Sequence, residues 1–126
     1  MKIDRLDHLV LTVTSLDATC DFYTRVLGMT VVTFGSGRRA LQFGRQKINL
    51  HEAGHEFEPK AHRPTPGSAD LCFIAAGSMA DVVDHMRASD VPIVEGPVAR
   101  TGAAGPITSV YLRDPDENLI EVSVYE

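Results

Sequence analysis

The chain contains no tryptophan, and aromatic residues make up 6% of it. A ligand groove built on stacked rings is therefore thinly supplied, which counts against a protein that only sequesters a small molecule. Basic residues are in the minority: 12 Lys and Arg against 17 Asp and Glu leave a formal charge of -5. A nucleic-acid partner calls for a concentrated basic face, so none is expected. The one local basic cluster, Arg38-Arg39 with Arg45 and Lys47, reads as a solvated strand edge. The two cysteines, Cys20 and Cys72, lack C-x-x-C spacing and read as free buried thiols of a reducing compartment. No apolar run approaches the roughly 20 residues of a membrane span. Acidic residues and His8 interrupt the opening MKIDRLDHLVLTV where a signal peptide needs an apolar stretch. A cytoplasmic protein without a membrane partner is expected. A phosphate-cradling G-x-x-x-x-G-K loop, a G-x-S-x-G elbow and a thiol-base signature are also missing.

What remains is one domain's worth of ordinary globular sequence, 126 residues of which 44% are hydrophobic. In residues 6–13, Leu9, Leu11 and Val13 alternate with His8, Val10 and Thr12, a strand with its aliphatic face on a core. Thr14-Ser15-Leu16-Asp17 resembles a capping box, and Leu16, Cys20, Tyr23, Val26 and Leu27 follow at helical spacing up to a C-capping Gly28. Thr30–Phe34, Arg39–Phe43 and Lys47–His51 then read as short strands separated by Gly-containing turns. Residues 54–67 are polar and Pro-rich and read as a linker.

Beyond the linker the pattern restarts. Leu71, Phe73 and Ala75 take the places of Leu9, Leu11 and Val13, and Ser78-Met79-Ala80-Asp81 opens a second helix with Met79, Val82, Val83 and Met86 inward. Val91–Val94, Ile107–Leu112 and Leu119–Val124 supply strands, with Arg100–Pro106 as a Gly-rich loop. The chain is therefore a tandem βαβββ repeat of the α+β class, with modules at about residues 4–53 and 68–126. Each helix can cover one face of its sheet, which leaves the other face for a ligand or another sheet.

Strand parity shows what that other face carries. His8 stands there in the first strand, Asp70 in the strand that restarts the pattern, Asn49 and His51 beside Ile48 and Leu50, and Glu121 and Ser123 in the last strand. If these faces line one cavity, His8, Asp70 and Glu121 form an open site for a divalent ion (Mn²⁺, Fe²⁺, Ni²⁺, Mg²⁺ or Zn²⁺) completed by water. Adding His51 gives two imidazoles and a carboxylate, the facial triad of non-haem iron chemistry. Glu121 or Asp70 is then the candidate catalytic base, and Arg100, Thr101 and Asn49 are candidate substrate contacts. His55 and His62 fall in the linker and His85 at a helix boundary, where solvent is their expected partner.

With its repeat, DHLVLTV at the start, FYTRVLGM after the first helix and DPDENLIEV at the end, the chain resembles the vicinal oxygen chelate superfamily. That group includes glyoxalase I, extradiol dioxygenases, and fosfomycin- and bleomycin-resistance proteins. TFGSGRRALQFGRQKINLHEAG, PTPGSADLCFI and GPVARTGAAGPI are similar to a narrower group, typified by glyoxalase domain-containing protein 5 and bacterial relatives labelled virulence proteins. The resemblance implies a single domain of paired modules around a metal-bearing cavity, often completed in a homodimer. The family's ligand positions fall on His8, Asn49, Asp70 and Glu121. Asp70 stands where a histidine or glutamine is common, and Asn49 where glyoxalase I has a glutamate. The implied function is metal-dependent chemistry on a small oxygenated substrate, either lyase or isomerase or extradiol-dioxygenase-like. The alternatives are sequestration of the bleomycin-resistance type, or a dimeric regulatory partner with a vestigial site. Glu117 replaces the glycine usual in the family's DPDGN turn.

Overall fold

The computed structural model describes residues 1–125; the last residue assigned to the second module, 126, lies outside the described residues. The chain divides into two compact units, Met1–Pro66 and Gly67–Glu126. The first contains β1 (His8–Val13), α1 (Leu16–Arg25), β2 (Thr30–Phe34), β3 (Arg38–Phe43) and β4 (Gln46–Glu52). The second contains β5 (Asp70–Ile74), α2 (Met79–Ala88), β6 (Glu95–Gly102), β7 (Gly105–Arg113) and β8 (Leu119–Tyr125). The predicted tandem βαβββ repeat, an α+β fold, is what forms.

In the first unit the sheet order is β1-β4-β3-β2, with β1 parallel to β4 and the other pairs antiparallel. The helix begins at Ser15 rather than Thr14, because the Ser15 hydroxyl accepts the Ala18 N–H at 3.1 Å. It ends in an αL cap. Gly28 at φ +67 lets its N–H reach the Thr24 carbonyl at 3.1 Å and the Met29 N–H reach that of Tyr23 at 3.0 Å. Cys20, Tyr23 and Val26 on the helix are buried, as are Leu11, Val13, Leu41, Ile48 and Leu50 on one face of the sheet.

The second unit repeats the order as β5-β8-β7-β6. Ser78 caps α2 by accepting the Asp81 N–H at 3.1 Å. Met79, Val82 and Met86 of the helix are buried, with Val110, Leu112, Ile120, Val122 and Val124 of the sheet. The Asp-rich turn before β8 is structural. Asp114 Oδ1 accepts the N–H groups of Asp116 (2.9 Å) and Asn118 (3.0 Å), and Asp114 Oδ2 accepts from Asn118 Nδ2 at 2.8 Å. Asn118 Oδ1 in turn accepts the Ala69 N–H at 2.8 Å, and the Leu119 N–H reaches Ala69 O at 3.1 Å, so the turn also secures the entry to β5. Glu117 takes φ +68, the left-handed conformation that a glycine there would adopt without strain.

Three expectations are corrected. Val91–Val94 is not a strand, and Arg100–Pro106 is not a loop; the edge strand β6 runs over Glu95–Gly102 and turns at Ala103-Ala104 into β7. Its pattern was hidden because β6 is half exposed and carries Pro97, which an edge strand tolerates. Gly96, at φ +102 in the irregular register between Glu95 and Val98, lies so close to Ser109 O that no Cβ fits. Cys72 is exposed rather than buried, whereas Cys20 is buried as expected. Cys72 faces away from α2, and parity alone decides that.

Candidate functional site

Glu121 sits in the middle of β8, opposite Cys72 of β5 and Tyr111 of β7. It faces away from the aliphatic row of Ile120, Val122 and Val124, and two hydroxyls hold it. Ser109 Oγ donates to Glu121 Oε2 at 2.6 Å, and Ser123 Oγ lies 3.2 Å from the same oxygen. The two serine oxygens are 2.6 Å apart, and Cys72 Sγ is 3.4 Å from Ser123 Oγ. Each hydroxyl has one proton. The short distances therefore order them as a chain, with Ser123 donating to Ser109 and Ser109 to Glu121. Burial pushes the Cys72 thiol up from its ordinary value, and the Glu121 charge adds to that against the Ser123 hydrogen bond. Cys72 is thus a thiol, a weak donor at the end of the chain.

Both serine contacts fall on Oε2 of Glu121. A cavity of about 290 Å³ is lined by Glu121 together with Cys72, Ile74, Thr101, Ile107 and Tyr125. Asp70 shares the Glu121 face of the sheet and is exposed at the start of β5. Arg100 is a strand residue on this face, and its nitrogens are committed within the unit: Nε to Tyr111 Oη (2.9 Å), Nη2 to Glu95 Oε2 (2.9 Å) and Nη1 to Ala99 O (3.1 Å). The Tyr111 hydrogen bond is the main reason its pKa is raised. Arg100 presents a fixed positive charge beside the Glu121 row. Thr101 pairs with Pro106, on the parity opposite to Arg100, and reaches the cavity at the end of β6.

The first unit carries His8, Asn49 and His51. His8 is exposed, and its Nδ1 hydrogen-bonds Asp7 Oδ1 at 2.8 Å. That bond lowers the Asp7 pKa. It also selects the tautomer whose lone pair is on Nε2, the arrangement in which a carboxylate orients a ligating imidazole. His51 and Asn49 are buried on the outward face of β4, with 2% and 6% exposure. The Arg38 guanidinium has no acceptor, so its Nη2 is the donor to His51 Nε2 at 3.3 Å. Burial first, and the Arg38 charge second, hold the His51 pKa below its ordinary value, so the ring is neutral.

Arg38 is not the solvated edge residue that its sequence suggested. It is half-buried on the interior strand β3, with its Cζ 5.1 Å from the Phe34 ring centroid and 4.6 Å from that of Phe57. Neighbouring Arg39, on the opposite face, pairs with Asp17 at 3.0 Å. Sequence reasoning also passed over Ser109, although alternation with Val110 and Leu112 was enough to place it on the Glu121 face. Phe57 had no periodic signal at all, since residues 53–69 form neither helix nor strand.

Each unit offers one donor whose chemistry fits a divalent ion. His8 has a carboxylate-oriented ring, and Glu121 has a hydroxyl-anchored carboxylate. His51 fits less well, because a guanidinium already occupies its lone pair and opposes a second cation. Among the described residues no group of three or more His, Cys, Asp and Glu side chains is gathered to hold a metal.

The sequence model of the Glyoxalase/Bleomycin resistance protein/Dioxygenase superfamily matches residues 5–122. The chain belongs to that superfamily. Within it, the chain is 60% identical over 126 residues to glyoxalase domain-containing protein RDO1 of Mycosarcoma maydis, covering 100% of this chain and 71% of that protein. It is 61% identical over 125 residues to virulence protein STM3117 of Salmonella typhimurium, covering 99% and 87%. The crystal structure of that virulence protein superposes with a TM-score of 0.98 at 60% identity, covering 100% of both chains. Lactoylglutathione lyase from Agrobacterium tumefaciens (TM-score 0.75, 24% identity, 98% and 95% covered) shares the fold. So does TnmS3, an antibiotic binding protein from Streptomyces (0.77, 16%, 100% and 98%). Glyoxalase-superfamily membership accounts for the paired βαβββ units. No helix of the described residues is long and apolar enough to cross a membrane.

Proposed function

We propose that this superfamily member is a divalent-metal-dependent enzyme acting on a small substrate with adjacent oxygens. The candidate ligands are His8 in the first unit and Glu121 in the second, with Asp70 as a further ligand or base. The observation that carries the reading is Glu121. A half-buried carboxylate is held on Oε2 by Ser109 and lines a cavity large enough for a small molecule. Such a group is costly to keep desolvated unless a cation completes it. When bound, the metal would supply Lewis-acid stabilisation of the negative charge that develops on substrate oxygen. The residues of the chain do the remainder. Ser109 fixes the carboxylate, Asp7 fixes the His8 tautomer, and the apolar side chains of Ile74 and Ile107 limit water in the cavity. Asp70, exposed on the same face, accepts a substrate proton in a lyase or isomerase reaction. A homodimer is part of this proposal, on the family resemblance.

Metal content of protein purified without chelator, with titration of Mn²⁺, Fe²⁺, Ni²⁺ and Zn²⁺, tests the reading. Glu121→Gln and His8→Ala are expected to abolish binding with an unchanged fold. Unchanged affinity in both variants refutes the site, and binding of none of these ions by the parent chain refutes metal dependence. In the latter case the apolar lining by Ile74, Ile107 and Tyr125 favours the second reading, a non-catalytic binder of small molecules.

A further inference from the structure

The outward face of the first unit has a charge pattern unlike the rest of the chain. By register, the positions of β1 to β4 that face away from α1 carry His8, Arg38, Lys47 and His51, and no carboxylate. The two fixed charges at these positions, Arg38 and Lys47, are both positive in a protein of net charge -5. At its centre three buried atoms lack a hydrogen-bond partner: Arg38 Nε, His51 Nδ1 and Asn49 Oδ1. Because His51 Nε2 accepts from Arg38, its proton is on Nδ1. Two of the orphans are therefore donors, one of them on a full positive charge.

Among the described residues the nearby acids bond elsewhere and none is paired with Arg38. Glu56 Oε2 accepts the Gly54 N–H at 2.9 Å, and Glu58 pairs with Lys60 at 3.0 Å. Unsatisfied buried donors are rare and costly, and a partly buried cation without an anion more so. Apolar flanks surround the cluster. The Arg38 guanidinium lies against Phe34 and Phe57, Lys47 Nζ is 4.0 Å from the Phe34 ring centroid, and Phe57 meets His51 edge-on at 5.6 Å. Phe57 itself is 42% exposed and belongs to the segment without regular structure, so one ring covers the orphaned donors from the solvent side.

We propose that this face binds the carboxylate of a small organic acid with an apolar flank. The oxygens take the Arg38 and His51 N–H groups, Asn49 meets a protonated ligand oxygen or bridging water, and Phe57 swings to pack on the flank. The site shares its face with His8 and Asn49 and so names a ligand class for the face that the proposed function uses, but the binding itself requires no metal.

Titration of benzoate into the metal-free chain in EDTA, followed by NMR at Arg38 Nε–Hε, the His51 ring and the Phe57 ring, tests it. Saturable shifts at all three are expected, with affinity lowered at least about tenfold in Arg38→Met and His51→Gln. Phe57→Ala is expected to weaken benzoate while sparing inorganic phosphate, which has no flank. The amide spectrum of each variant reports whether the fold is kept. Arg38→Lys, which keeps the charge but lacks Nε–H, gives an independent reading and is expected to lose affinity as well. Absence of saturable shifts, equal shifts with benzylamine, or full affinity in Arg38→Met and Arg38→Lys overturns the proposal.

Discussion

Replacing Ser109 with alanine removes one oxygen from a fully buried position and is the most direct test of how Glu121 is held. Ser109 Oγ lies 2.6 Å from both Glu121 Oε2 and Ser123 Oγ. The first contact is a charge-assisted bond, of the class worth about 1.5–3 kcal/mol. The Ser123 hydroxyl can turn to Glu121 Oε2, from which it lies 3.2 Å, and recover part of that loss. The net destabilisation expected is about 2 kcal/mol. Unfolding entropy of about 2.1 cal/mol/K per residue makes 1 kcal/mol equal to about 4 °C in Tm for a chain of this length, so Tm should fall by about 8 °C. If the metal reading is right, the same substitution lowers metal affinity about 10–100-fold, the usual cost of losing a hydrogen bond behind a ligand. Differential scanning calorimetry and metal titration provide the two readouts. A Tm within about 2 °C of the parent would refute the anchoring role of Ser109, because no other donor within the unit replaces a bond of that length.

Three other substitutions or conditions probe separate parts of the argument. Glu117→Gly relieves a left-handed backbone at φ +68 and is expected to raise stability by about 1 kcal/mol in urea unfolding, despite the entropy that glycine adds to the unfolded chain. Asn118→Ala removes the donor to Asp114 Oδ2 and the acceptor of the Ala69 N–H in a buried turn, and should cost about 3–4 kcal/mol in the same assay. His51 gives a pH signature. Its folded pKa lies below the ordinary 6.5 of the unfolded chain, so its contribution to stability is complete above that value and is lost as pH falls through the window beneath it. Tm should therefore drop between about pH 7.5 and about pH 5.5, and His51→Gln should flatten that drop, whereas the lowered carboxyls Asp7 and Glu56 act only at more acid pH.

The sequence was enough to determine the repeat, both helices, and which face β1, β4, β5 and β8 turn from the core. Those follow from local rules: alternation along a strand, 3.6-residue spacing, and Ser and Gly at helix ends. Leu9, Leu11 and Val13 repeat as Leu71, Phe73 and Ala75, and parity alone set Glu121 opposite Ile120 and Val122. The edge strand β6 escaped because half-exposed strands with Pro97 and Gly96 show no alternation to read. Only tertiary structure decided the partners of the polar residues. A carboxylate on a strand looks the same in sequence whether water, a hydroxyl or an arginine meets it. Pairing β7 with β8 is what brings Ser109 to Glu121, and pairing β3 with β4 is what sets Arg38 beside His51. Phe57 reaches them from a segment without periodicity. Side chains that carry chemistry are chosen by residue type, but their hydrogen-bond partners come from positions distant in sequence, and only the folded chain brings those together.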